Sequence, residues 1–100
     1  MTSSKSPIDV ALDLIRLSFP LPEEERMAVA LTVFLRTRAG NRIEELKPDM
    51  PMAQILDLGG AEKWTTAECS RMLELAGVEA FDEQFRQMTF REFVRYAVHR

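Results

Sequence analysis

A single cysteine, Cys69, leaves this 100-residue chain unable to close an internal disulfide, a usage that fits a reducing cytoplasm. Its one histidine, His99, stands next to last. No Cys, His or Asp sits around it at ligand spacing, so neither a metal site nor histidine-based catalysis is expected, and His99 reads as a solvated tail residue. No apolar run approaches the length of a bilayer span, which excludes a membrane-crossing helix. The opening "MTSSKSPIDV" has one lysine and no apolar stretch ahead of a cleavage site, so no secretory leader is expected. Charge of one sign is also scarce. The net charge is −3, and the basic residues scatter apart from a mild cluster in "RTRAGNR" and another at the C-terminus. A nucleic-acid binder advertises a one-sided basic field, and this chain has none. Internal repeats, low-complexity tracts and strand-like alternation are absent as well.

What is present is an ordinary globular balance, 46% hydrophobic and 29% charged, in a length that suits one domain. The punctuation is helical throughout. Ser6 is a candidate N-cap with Pro7 at the first helical position and Asp9 in the first turn. Ile8, Leu12, Ile15 and Phe19 then recur at helical spacing until Pro20 and Pro22 intervene. A second helix is expected over 22–38. Glu23, Glu24 and Glu25 load its first turn, Arg36 and Arg38 its last, and Gly40 ends it. Its buried stripe is Met27, Leu31, Phe34 and Leu35. Pro48 and Pro51 break the next connection, with Asp49 as candidate cap of a short helix through Leu56, and Gly59 and Gly60 close it. Thr65 and Glu68 form a capping-box pattern ahead of Cys69, Met72, Leu73 and Ala76, and Gly77 terminates that helix. Phe81 and Phe85 are too apolar to leave in water. Thr89 and Glu92 repeat the capping box before a stripe of Phe90, Phe93, Val94 and Ala97. The pattern predicts an all-α bundle of four main helices plus short ones.

Few residues invite chemistry. Cys69 falls on an apolar stripe and reads as core. The three glutamates of the second helix read as a solvated first turn facing the helix dipole. Met27 and Met72 lie on stripes, whereas Met50 and Met52 flank Pro51 and are the better candidates for an exposed contact. Lys63, beside Glu62, is expected to stay charged rather than act as a reactive amine. Trp64 is read equally as a core anchor or as a hot spot for a partner. No acid/base pair or metal set stands out, so no enzyme activity is expected.

From Glu45 to the C-terminus, and loosely from residue 22, the chain resembles the acyl carrier protein family. "LKPDMPMAQIL" resembles the loop after that family's first helix, and "GAEK" followed by Trp64 resembles its Gly-Ala-Asp-Ser-Leu signature. "TAECSRMLELAGV" is similar to its second helix, and "DEQFRQMTFREFVRYAV" to its short third and its fourth helix. The resemblance implies a four-helix acyl-carrier-like bundle over 21–100 with an extra N-terminal helix in residues 1–20, which would cap the bundle or dock on a partner. In that family the serine of the signature carries 4'-phosphopantetheine. Gly60, Ala61 and Glu62 match Gly-Ala-Asp, Trp64 matches the leucine, and Lys63 stands where the serine belongs. Lysine has no hydroxyl with which to form the phosphodiester. Thr65 suits the helix cap, and a hydroxyl shifted by two residues is turned by about 200° around a helix.

The expectation is therefore a carrier-like module that works by binding proteins, with no cofactor. Lys63, Trp64, Glu68 and Arg71 would form the contact surface, and enzymes of fatty-acid or polyketide-type metabolism would be the partners. Two alternatives stand beside it. One is a genuine carrier modified at Thr65 or Thr66. The other is a small regulatory or nucleic-acid-binding module that uses "RTRAGNR".

Overall fold

Ser6 begins the first helix as its spacing predicts. In the computed structural model, which describes residues 6–59, 66–78 and 83–99, the Ser6 hydroxyl accepts from the Asp9 amide at 3.4 Å and donates to the Asp9 carboxylate at 2.8 Å. Helix α1 (Pro7–Ser18) follows, with proline where a free N–H would have no partner. Pro22 starts α2 (Pro22–Ala39) in the same way, and Gly40, at φ +57°, turns the chain into a 3-10 segment, Gly40–Glu45. A short α3 (Met52–Leu56) and one 3-10 turn, Asp57–Gly59, complete the long connection. Helices α4 (Thr66–Ala76), α5 (Glu83–Gln87) and α6 (Phe90–His99) close the molecule.

The capping chemistry is visible where it is described. At α6 the Thr89 amide donates to the Glu92 carboxylate at 3.0 Å, and the Glu92 amide donates to the Thr89 hydroxyl at 3.1 Å. This is the reciprocal box that the sequence pattern predicts. At the end of α4, Val78 N–H reaches the Leu73 carbonyl and Gly77 N–H the Glu74 carbonyl. Gly77 takes φ +69°, a left-handed turn open to glycine at little cost.

Helix α1 packs on α2 and on the 3-10 segment, while α2 also meets α4 and α6. The core runs through Ala11 and Ile15 of α1 and Phe19 at its C-cap, Ala28, Leu31 and Leu35 of α2, Ile43 and Leu46 of the connection, Met72 and Ala76 of α4, and Phe90, Phe93 and Val94 of α6. Phe19 meets Phe90 edge-on at 6.2 Å between ring centroids, and Phe85 meets Phe93 at 5.7 Å. The radius of gyration, 13.1 Å, equals the value of about 13 Å expected for one compact domain of this length. Among the described residues no strand forms, and none of their helices is long and apolar enough to cross a membrane. One isolated antiparallel bridge, Pro51 opposite Thr89, ties the connection to the start of α6. There Met52 N–H donates to Met88 O at 2.7 Å and Phe90 N–H to Met50 O at 2.9 Å.

Three local expectations are overturned. Met52 is fully buried and Met50 packs against the core, so neither is an exposed contact. The Pro51–Thr89 bridge draws this segment inward, and two apolar side chains follow it. Asp49 does not cap α3, whose N-cap position is Pro51; its carboxylate pairs with Arg91 at 3.3 Å instead. The glutamates of α2 are not all solvated, because Glu24 is buried, as described below.

Helix α1 is no loose appendage. Its C-terminal turn presents the Ser18 carbonyl, which has no partner further along the helix. Arg91 of α6 donates to that oxygen at 2.9 Å, and its guanidinium lies 5.7 Å from the centroid of the Phe19 ring. One side chain thus joins α1, the Asp49 turn and α6.

Candidate partner-binding surface

Helix α4 carries the two described members of the expected contact set. Its inner side is Met72 and Ala76, with Leu73 partly buried beside them. Its outer side is Ala67, Ser70, Arg71 and Glu74, all exposed, with Leu75 at the margin. Glu68 stands on the border between the two. Its carboxylate accepts from Arg38 at 2.7 Å, and the Arg38 side chain is only 12% exposed. That contact crosses from the last turn of α2 to the first turn of α4. A short, largely shielded, charge-assisted bond of this kind holds the first turn of α4 to the last turn of α2. Glu68 is therefore bound from the inside and keeps about a third of its surface for solvent, at 33%.

Arg71 lies one turn along. Its guanidinium is 3.7 Å from Glu74, both side chains are well exposed, and such a pair holds little energy of its own. Arg71 can exchange Glu74 for a partner's carboxylate at small cost. Beyond it, Ser70, Leu73, Glu74, Gly77 and Val78 line a shallow hollow of about 290 Å³ at the end of α4. Gly60, Ala61, Glu62, Lys63, Trp64 and Thr65 lie outside the described residues. So do Phe81 and the side chains of Thr66 and Cys69.

A second polar cluster escapes the linear pattern. Glu24, in the first turn of α2, is 3% exposed. Its carboxylate meets His99 Nε2 at 2.6 Å and Arg95 Nε at 3.5 Å, so the first turn of α2 is joined to the last turn of α6. The His99 hydrogen bond is the main cause holding the Glu24 carboxyl below the usual carboxylate range; the Arg95 charge adds to it, and burial opposes both. An ionised carboxylate only accepts, so His99 Nε2 carries the proton in this contact. His99 is therefore no solvated tail residue, although half of its ring surface remains open. The signal for Glu24 was present. Glu24, Ala28, Leu31 and Leu35 follow one another at i, i+4, i+7 and i+11, which places the glutamate on the buried stripe. Nothing local pointed to Arg95 and His99, which lie more than 70 positions further along.

Among the described residues no three His, Cys, Asp or Glu side chains gather in a way that would hold a metal ion. Compared with known proteins, the chain matches no family model, no curated protein and no solved structure.

Proposed function

We propose that this protein is an acyl-carrier-like helical module that works by binding other proteins and does not carry phosphopantetheine on its central motif. The observation that carries the reading is Lys63, which stands where the resembled signature has its attachment serine. Supporting it is the order of elements: a long α2, an irregular connection with a short helix, α4 directly after the motif, a five-residue α5, and α6. The contact surface is the motif Gly60–Trp64 together with the outer side of α4. Trp64 supplies buried area, while Lys63, Arg71 and the open edge of Glu68 set orientation. The partners are enzymes of fatty-acid or polyketide-type metabolism, a clause that rests on the resemblance alone.

The test has two arms. Intact mass is measured after co-expression with a broad-specificity phosphopantetheinyl transferase, beside a carrier that is modified under the same conditions. An unchanged mass is expected. A gain of one phosphopantetheinyl group mapped to Thr65 or Thr66 would establish the genuine-carrier alternative instead. In the second arm, a panel of purified acyl-handling enzymes is captured with wild type, Lys63→Glu, Trp64→Ala and Arg71→Glu. At least a tenfold loss of capture is expected for Trp64→Ala, in the range of an interface hot spot of roughly 2 kcal/mol. Equal capture by all four chains places the contact elsewhere.

A further inference from the structure

Helix α1 has two apolar sides, and the fold uses only one. Ala11, Ile15 and Phe19 face the core. On the other side of the helix, Val10, Leu14 and Leu17 are exposed, Leu17 at 85%, and Leu21, past the helix end, is 50% exposed. Val10, Leu14 and Leu17 follow one another at spacings of four and three residues, one heptad of the pattern by which helices pair along one another. Leu21 lies in extended backbone at the N-cap of α2. Single exposed apolar residues need no explanation, but three in register on one helix, with a fourth in the turn beyond it, do.

We infer that this seam is a self-association surface on which a second copy of the chain lays its own α1 antiparallel. The register follows from the spacing. A twofold axis midway between Leu14 and Leu17 puts Leu14 opposite the other copy's Leu17, and sets Val10 at the level of the turn that holds its Leu21. Apolar side chains then meet apolar ones, the self-complementarity that a closed twofold interface requires. The polar edge of the seam fits the same arrangement. It carries its acids, Asp9 and Asp13, toward the N-terminus of α1 and its base, Arg16, toward the C-terminus. Antiparallel pairing brings each Arg16 to about 3 Å along the axis from the level of the other copy's Asp13, given a rise of 1.5 Å per residue. Parallel pairing would set acids beside acids. The antiparallel order also opposes the two helix dipoles.

The size of the seam sets the strength. Four partly exposed side chains offer on the order of 300–400 Å² per copy, against about 800 Å² per partner in a standard stable interface. The association is therefore weak and concentration-dependent, and the monomer folds without it.

Sedimentation equilibrium over a concentration range from about 5 to 500 µM tests this by mass action. The weight-average mass of the wild-type chain should climb from one chain toward two. Leu17→Glu should stay at one chain across the range with an unchanged melting curve, because the leucine it replaces is almost entirely in water. A wild-type chain that remains monomeric throughout, or a Leu17→Glu chain that associates as well as wild type, overturns the proposal. If Leu17→Glu instead weakens capture of another protein by a wild-type chain that is itself monomeric, the seam belongs to that partner and the self-association reading fails. The register is tested by oxidative cross-linking, with the wild-type chain, which carries Cys69 alone, as background. A mixture of Val10→Cys and Leu21→Cys chains should join far more efficiently than either alone. Preferential linking of Val10→Cys to itself would overturn the antiparallel arrangement.

Discussion

Two charged side chains hold distant parts of the chain together, and each gives a measurable expectation. Glu24 joins α2 to α6 through His99 and Arg95. Glu24→Gln keeps the shape but replaces the charge-assisted bonds, so stability at neutral pH should fall by about 1–3 kcal/mol in urea denaturation. The pH dependence has a definite sign. The folded carboxyl titrates below its ordinary value of 4.5. Its stabilising contribution is thus complete above that value and is lost as pH falls through the lower, folded value. The denaturation midpoint of wild type should drop on acidification below about pH 4.5, and the drop should be shallower in Glu24→Gln. Arg91 is the second tie, holding the Ser18 carbonyl, Asp49 and the Phe19 ring together. Arg91→Met retains much of the aliphatic stem but leaves the Ser18 oxygen without its donor. A loss of about 1–3 kcal/mol is expected, with faster amide exchange in the last turn of α1.

At the level of elements, the helices start and stop where short-range chemistry says they should. Reciprocal bonds between Thr89 and Glu92 begin α6, and Gly77 in a left-handed turn ends α4. Thr89→Ala should cost about 1 kcal/mol, and Gly77→Ala about 1–2 kcal/mol because a side chain must then adopt that turn. Both are read as shifts of the thermal midpoint, and a Gly77→Ala chain as stable as wild type would contradict the described turn. Helix α3 shows the limit of such reasoning. Asp49 is a good cap by residue type, yet it turns to Arg91, whose charge lies 42 positions away. A partner at that distance outcompeted the local role.

For the whole molecule, the helical class and the main helix boundaries were legible beforehand because they rest on contacts within a few residues. The expected helix over 22–38 is Pro22–Ala39, and the α6 stripe is buried as its spacing predicts. In α1 and α2 the expected stripes are buried only at Ile15 and Phe19 and at Leu31 and Leu35, with Ala11 and Ala28 buried beside them. Of the expected contact residues on α4, Arg71 is exposed, whereas Glu68 is held from within by Arg38. The Arg38–Glu68 bond could not be read from the chain, since neither residue marks the other in the linear pattern. The same is true of the burial of Met52, which follows from the bridge between Pro51 and Thr89.

The sequence by itself determined which segments are helical and where the long helices start and stop. These follow from backbone hydrogen bonding and from a period of 3.6 residues, both local properties. Only the tertiary structure decided which charges would be buried, which carbonyl at a helix end would find a donor, and which side of α1 would be left in water. Those outcomes depend on how the helices cross. Crossing is settled by packing between segments far apart in the chain, where a single long side chain such as Arg91 can outweigh any local preference.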